Sequence, residues 1–147
     1  ATLRNPALAA VFQATPTPGL ADLLSGKAVL RDVLRLQVAA GVDLVPAGQS
    51  ADPYWGFTDE KFRAVLSQLL VERDLCLVDV PALNRAPEAS LVVRALDAIV
   101  LVVEMNRHRA DVVQRNLQYL RSLGTPVIGS VVNELVHEVP MLMQKLM

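Results

Sequence analysis

The stretch that most limits what this chain can fold into is Leu75-Cys76-Leu77-Val78-Asp79-Val80-Pro81, an apolar run closed by one carboxylate and a proline. A strand apolar on both faces belongs inside a parallel sheet covered by helices. In such a sheet Asp79 emerges at the carboxyl edge, where open α/β folds place their ligand crevice. Burying an unpaired charge costs roughly several kcal/mol, so a carboxylate ending an apolar strand needs a partner, a metal or water. Two readings of Asp79 follow. It is a metal-holding carboxylate, or an aspartate that caps a helix or pairs with a cation.

The rest of the chain repeats the order of helix then apolar strand. Val42 to Val45, Leu75 to Val80, Ala98 to Val103 and Val127 to Val132 read as strands, the last ending in Asn133-Glu134. Helices are expected from Asn5-Pro6 through Phe12, from Leu20 to Ser25 with a stop at Gly26, and from Val29 to Leu36. Thr58 reads as an N-cap with Asp59 and Glu60 in the first turn. From there Phe62, Val65, Leu66, Leu69 and Leu70 form an apolar stripe running to about Arg73. Pro87-Glu88 opens a helix facing Leu91, Val92 and Ala95 inward, and another carries Val112, Val113, Leu117 and Leu120 to Gly124. The tail from Val139, with Met141, Leu142, Met143, Leu146 and Met147, reads as a short helix packed on the core, with a partner or membrane contact as the alternative. This order predicts an α/β fold: a mainly parallel sheet of at least four strands, right-handed crossovers and helices on both faces. At 147 residues it fits one domain.

Bulk properties exclude several classes. A net charge of −1 gives no electrostatic footprint for nucleic acid. One cysteine, Cys76, rules out a disulfide within the chain and fits the cytoplasm. The apolar run Ala98 to Val103 is far too short to span a bilayer, and the amino terminus lacks a signal-peptide pattern. The chain opens at Ala1-Thr2-Leu3-Arg4 without methionine, as expected where residues have been removed. Neither His108 nor His137 has a cysteine or second histidine at metal-ligand spacing, which argues against zinc. Asn106, Arg107, His108 and Arg109 follow the third strand and read as a phosphate contact or, with Asp111 beside them, as a solvated helix start. Asn133 reads as a base contact or a turn residue. Tyr54 and Trp55 read as core cover or as a partner surface.

Leu3 to Leu8, Pro18 to Gly26, Leu44 to Gly48, Asp74 to Pro81, Asp97 to Val103 and Gly129 to Asn133 follow one another along the chain, and in that order they resemble the cytoplasmic domain of bacterial tyrosine autokinases and related exopolysaccharide chain-length proteins, members of the deviant-Walker P-loop ATPase class (MinD/ParA-like). Leu3-Arg4-Asn5-Pro6-Ala7-Leu8 is similar to the family's Asp-Leu-Arg-x-Pro-x-Leu segment. Pro18-Gly19-Leu20-Ala21-Asp22-Leu23-Leu24-Ser25-Gly26 resembles its Pro-Gly-Leu stretch, and Leu44-Val45-Pro46-Ala47-Gly48 its Leu-x-Pro-Ala-Gly. Asp74 to Pro81 resembles the Walker B segment, while Asp97 to Val103 and Gly129 to Asn133 resemble the two later strands.

The resemblance implies ATP and Mg²⁺ as cofactors, with Asp79 as the Walker B carboxylate that holds magnesium through water. It places Asn133 where relatives contact adenine, and puts Thr2 at the last aspartate of the family's Asp-x-Asp, where it cannot supply the charge. Departures are equally specific. The family's Gly-rich phosphate loop precedes the point where this chain begins, the second Walker B proline is Ala82, and the tyrosine-rich tail is absent, Tyr54 and Tyr119 being isolated. Ser25-Gly26-Lys27-Ala28 does not replace the loop, having no earlier glycine at the required spacing and no hydroxyl after the lysine. Because phosphoryl transfer depends on cradling phosphate, this chain alone is expected not to hydrolyse ATP. The leading expectation is an exopolysaccharide or capsule domain at the inner face of the membrane, attached through a membrane-embedded polysaccharide co-polymerase. The alternatives are a nucleotide-free scaffold and a partition-type positioning ATPase relative. In this class the phosphate-loop strand lies between the second and third strands, so its absence predicts unpaired edges and self-association.

Overall fold

The structure, a computed structural model, describes residues 7–49, 57–83, 89–105 and 109–134. The chain divides into two compact units, Ala1–Ala95 and Leu96–Met147.

In the first unit, α1 (Leu8–Val11) and α2 (Leu20–Leu24) are short. The Gly19 N–H donates to the Asp22 carboxylate at 2.8 Å, which satisfies one open donor at the start of α2. At its other end Gly26 adopts φ +74°. Lys27 N–H donates to the Asp22 carbonyl at 2.9 Å and Gly26 N–H to the Leu23 carbonyl at 3.1 Å, closing the helix in a Schellman turn. The stop expected at Gly26 is therefore present.

The helix expected over Val29 to Leu36 lasts one turn, as α3 (Leu30–Val33). Leu34 is already extended, and the chain enters β1 (Arg35–Ala39), which pairs antiparallel with β2 (Val42–Leu44). Four apolar residues at helical spacing do not distinguish one turn of helix from two, and the turn signal lay further on. Gly41, at φ +70°, follows Ala40 in a two-residue hairpin. Val42 to Val45 had been expected in a parallel sheet; the short hairpin turn imposes the antiparallel pairing instead. At Gln37 (φ +54°) the register slips, and its N–H donates to Asp43 Oδ1 at 2.8 Å.

Helix α4 (Asp59–Leu70) begins as its sequence predicts, with the Thr58 side chain accepting from Lys61 N–H at 3.3 Å and Asp59 and Glu60 in the first turn. Phe57 precedes the cap and lies with its ring centroid 5.2 Å from that of Phe62 one turn on, a hydrophobic staple. Phe62, Val65 and Leu69 are the buried stripe. Helix α5 (Ala89–Arg94) buries Ala89, Val92 and Val93, and the Arg63 guanidinium of α4 donates to the Arg94 carbonyl at its end.

The second unit is one βαβ motif: β3 (Ile99–Glu104), α6 (Ala110–Ser122) and β4 (Val127–Asn133). The strands run parallel, with Val100 opposite Gly129, Val102 opposite Val131 and Glu104 opposite Asn133. Helix α6 ends at Gly124 (φ +86°) and buries Leu120. The described residues thus carry an α/β arrangement with one parallel pair and one antiparallel pair, each two-stranded.

Candidate functional site

Residues Leu75 to Val80 belong to neither sheet. They have no strand pairing, and Leu75 and Leu77 are 70% and 87% exposed. This corrects the expectation of a central strand buried on both faces. A parallel strand is held by neighbours on its edges and helices on its faces, and among the described residues no strand pairs with this one. Cys76, Val78 and Val80 alternate with the leucines and are half-buried, so the period-2 pattern survives on one side only. Burial pushes the Cys76 thiol up from its ordinary value, which makes it a poor nucleophile.

Asp79 sits near the end of this segment, exposed, in the first unit. Asn133 closes β4 in the second unit; its carbonyl accepts from Met105 N–H at 3.0 Å, and it is exposed. Thr2 and Arg107 lie outside the described residues, as do Asn106, His108, Tyr54, Trp55 and His137. Among the described residues no group of three or more His, Cys, Asp or Glu could hold a metal ion. A single exposed carboxylate does not hold Mg²⁺ by itself; the ion needs several oxygens at near-octahedral geometry.

Two stretches far apart in sequence do come together. Leu20 N–H donates to the Pro46 carbonyl at 2.8 Å and Ala21 N–H to the Ala47 carbonyl at 2.9 Å. Gln49 N–H reaches the same Asp22 carboxylate that accepts from Gly19. A Cβ on Gly19 would collide with the Gly48 nitrogen and the Pro46 carbonyl, and one on Gly48, at φ +81°, with the Asp22 carboxylate. The Pro-Gly-Leu and Pro-Ala-Gly stretches are thus two halves of one crossing of backbones. Each stretch brings a glycine to the crossing, where a side chain would block the approach.

A second tie holds the start of the Asp79 segment. Arg73, directly before Asp74, donates Nη2 to Asp43 Oδ2 at 2.7 Å and Nε to the same oxygen at 3.0 Å, and its Nη1 reaches the Leu69 carbonyl. The Gln37 N–H and then this guanidinium hold the Asp43 carboxyl below its ordinary value. The strand leading to Gly48 and the segment leading to Asp79 are therefore anchored to each other at one end. The Gly26-Lys27 pair closes the carboxyl end of α2, where carbonyls point outward; a phosphate needs the amide end.

No protein-family model matches the chain. CapB of Staphylococcus aureus is 23% identical over 134 residues, covering 90% of this chain and 59% of CapB. The tyrosine-protein kinase CpsD of Streptococcus agalactiae is 25% identical over 136 residues, covering 91% of this chain and 59% of CpsD. An ATP-binding protein of Methanocaldococcus jannaschii, MJ0547, is 27% identical over 119 residues, covering 81% of this chain and 44% of that protein. The chain thus spans about three fifths of CapB and CpsD. Among solved structures, the VpsO kinase domain matches with a TM-score of 0.82 at 26% identity, covering 91% of this chain and 67% of that one. The kinase domain of the Escherichia coli tyrosine kinase Etk matches with a TM-score of 0.84 at 25% identity, covering 92% and 54%. The chimerical protein CapA2B2 shares the fold, with a TM-score of 0.78 at 21% identity over 88% of this chain and 58% of that one. By sequence and by fold the chain is related to the bacterial tyrosine-protein kinases CapB, CpsD and Etk, consistent with a deviant P-loop tyrosine autokinase domain.

Proposed function

We propose that the chain works in capsule or exopolysaccharide assembly as part of a single P-loop-type tyrosine-autokinase domain, supplying the Walker B carboxylate and the base-side strand end but not the grip on the triphosphate. The observation that carries this reading is the agreement of kinase relatives and kinase-domain structures over about nine tenths of the chain. In it Asp79 is assigned to magnesium, held through water, Asn133 to the base and Arg107 to phosphate, each by resemblance to the family's motifs. Thr2 adds no charge. A sheet of at least four parallel strands assembles when a strand pairs with Leu75 to Val80; a second copy or a longer form of the chain supplies it. A membrane-embedded polysaccharide co-polymerase is the proposed partner, and keeps the chain at the inner face of the membrane. No helix among the described residues is long and apolar enough to cross a membrane itself.

By this reading the 147-residue chain alone neither binds Mg-ATP at micromolar concentration nor phosphorylates itself. None of its residues forms the Gly-x4-Gly-Lys-Ser/Thr cradle, and positioning plus charge neutralisation is nearly all that phosphoryl transfer asks of a protein. The test is titration calorimetry with Mg-ATP on the chain and on a fusion placing the phosphate-loop segment of CapB before it. The fusion is expected to bind and to lose binding with Asp79→Ala. Binding that survives that substitution would remove Asp79 from the role.

The second reading is a nucleotide-free scaffold, favoured by the position of Leu75 to Val80 outside both sheets. A fusion that folds but stays silent toward Mg-ATP supports it.

A further inference from the structure

The parallel pair β3–β4 is open along the far side of β4. Met105 N–H donates to the Asn133 carbonyl at 3.0 Å, and Val131 and Gly129 stand opposite Val102 and Val100. Alternate residues of a ladder turn their backbone groups to the same neighbour, so Gly129, Val131 and Asn133 face β3, while Ser130 and Val132 turn N–H and C=O outward. Among the described residues no strand pairs with that side. Sheets commonly guard such an edge with a charge, a proline or a bulge. Val127 to Asn133 holds no charge and no proline, and the register slip lies before Gly129, so the run beyond it is regular.

The same edge borders a cleft of about 250 Å³ between α6 and the strands. Val113 and Leu117 line it from α6, and Leu101, Ile128 and Ser130 from the strands. Val132 shares the face of Ser130, and Ile128 and Val132 stay 70% and 51% exposed. Arg121, in the last turn of α6, lines the cleft beside Val127 and Ile128. Among the described residues its guanidinium has neither an ion pair nor a hydrogen bond, and the Ser130 hydroxyl has no partner.

Size and charge select the occupant. The regular run 129–133 spans about 17 Å, a strip far short of the roughly 800 Å² that a stable dimer takes from each copy. A second β4 would also bring no carboxylate to Arg121. One added strand needs only an open backbone edge and room for alternate side chains. The cleft gives that room to apolar side chains, and Arg121 gives a fork-shaped donor to a carboxylate.

We infer that the open edge of β4 takes one extended segment of a partner protein as an added antiparallel strand. Apolar side chains of the segment enter the cleft beside α6, and a carboxylate toward its carboxyl end meets Arg121. Opposite Ser130 and Val132 the segment exchanges backbone hydrogen bonds with β4.

The test uses the full 147-residue chain and a fluorescent peptide, Thr-Val-Thr-Val-Thr-Glu-Thr, capped at both ends, read by anisotropy. Saturable binding is expected. N-methylation of its two valine amides, which face β4 in this register, should abolish it. Arg121→Gln should weaken binding about fivefold, as for an exposed ion pair. Arg121→Glu should reverse the preference toward a peptide with Lys in place of Glu. Ser130→Pro removes an outward N–H, a change that an edge strand tolerates, and should abolish binding while circular dichroism keeps the helix and strand signal. No saturable binding at millimolar peptide, or equal binding of the methylated peptide, would overturn the inference. So would a dimer in sedimentation that Ser130→Pro dissociates, since the edge would then belong to a second copy.

Discussion

Gly48 carries two constraints at once. Its φ of +81° is a left-handed conformation that a side chain resists, and its α-carbon hydrogens face the Asp22 carboxylate and Gly19. Gly124 shares the first constraint, at φ +86°, without the second, since nothing lies within 4 Å of a Cβ built there. Gly124→Ala should therefore cost about 1–2 kcal/mol, the conformational part alone. Gly48→Ala should cost about 2–4 kcal/mol, because the backbone crossing must also open. Urea unfolding of the two variants reads the difference, and equal costs would show that the crossing contributes nothing. Asp43 makes a prediction in pH. Its carboxyl is held below the ordinary value by Gln37 N–H and Arg73, so its stabilising effect is present above the ordinary value of 3.8 and is lost as pH falls through the lower, folded value. Asp43→Asn should flatten the acid limb of a stability-versus-pH curve below about pH 4 and leave its shape near neutrality unchanged.

Among the elements, α4 was the most legible, because its signals are local and agree. The cap at Thr58, the acidic first turn and the stripe Phe62, Val65, Leu69 all lie within one stretch of chain. Thr58→Ala should cost about 1 kcal/mol, seen as a lower urea midpoint without a changed slope. Strands β3 and β4 were legible for a similar reason, as runs rich in Val and Ile bounded by Asp97, Pro126 and Asn133. The hairpin was not. Arg35 to Val38 alternates polar and apolar residues over four positions only, and the strand depends on Gly41 and on a bulge that Asp43 satisfies from the other strand. The Leu75 to Val80 segment shows the opposite failure. Its residues have every local property of a buried strand, yet a strand forms only where a neighbour offers its backbone, and composition does not reveal the neighbour.

At the scale of the molecule, kinship with the tyrosine kinases was legible from the order of short motifs, none of them specific alone. The structure supplies one reason two of them travel together: Pro18 to Gly26 and Leu44 to Gly48 are in backbone contact. The proposed site was less legible. Asp79 and Asn133 stand in separate units, while Thr2 and Arg107 fall outside the described residues.

The exposed leucines at 75 and 77 have a consequence for handling the protein. Leu75 to Val78 is a short, uncharged, sheet-prone run whose two leucines are open to other molecules, a composition shared with segments that stack into fibrils. It is bracketed by Asp74 on one side and by Asp79 and Pro81 on the other, the charges and proline that act as gatekeepers against such stacking. Asp79 thus guards colloidal stability whether or not any nucleotide is near. Asp79→Ala should shorten the lag before light scattering rises at elevated temperature, and Asp79→Lys should restore it. An activity assay on the alanine variant therefore belongs beside a turbidity trace of the same sample.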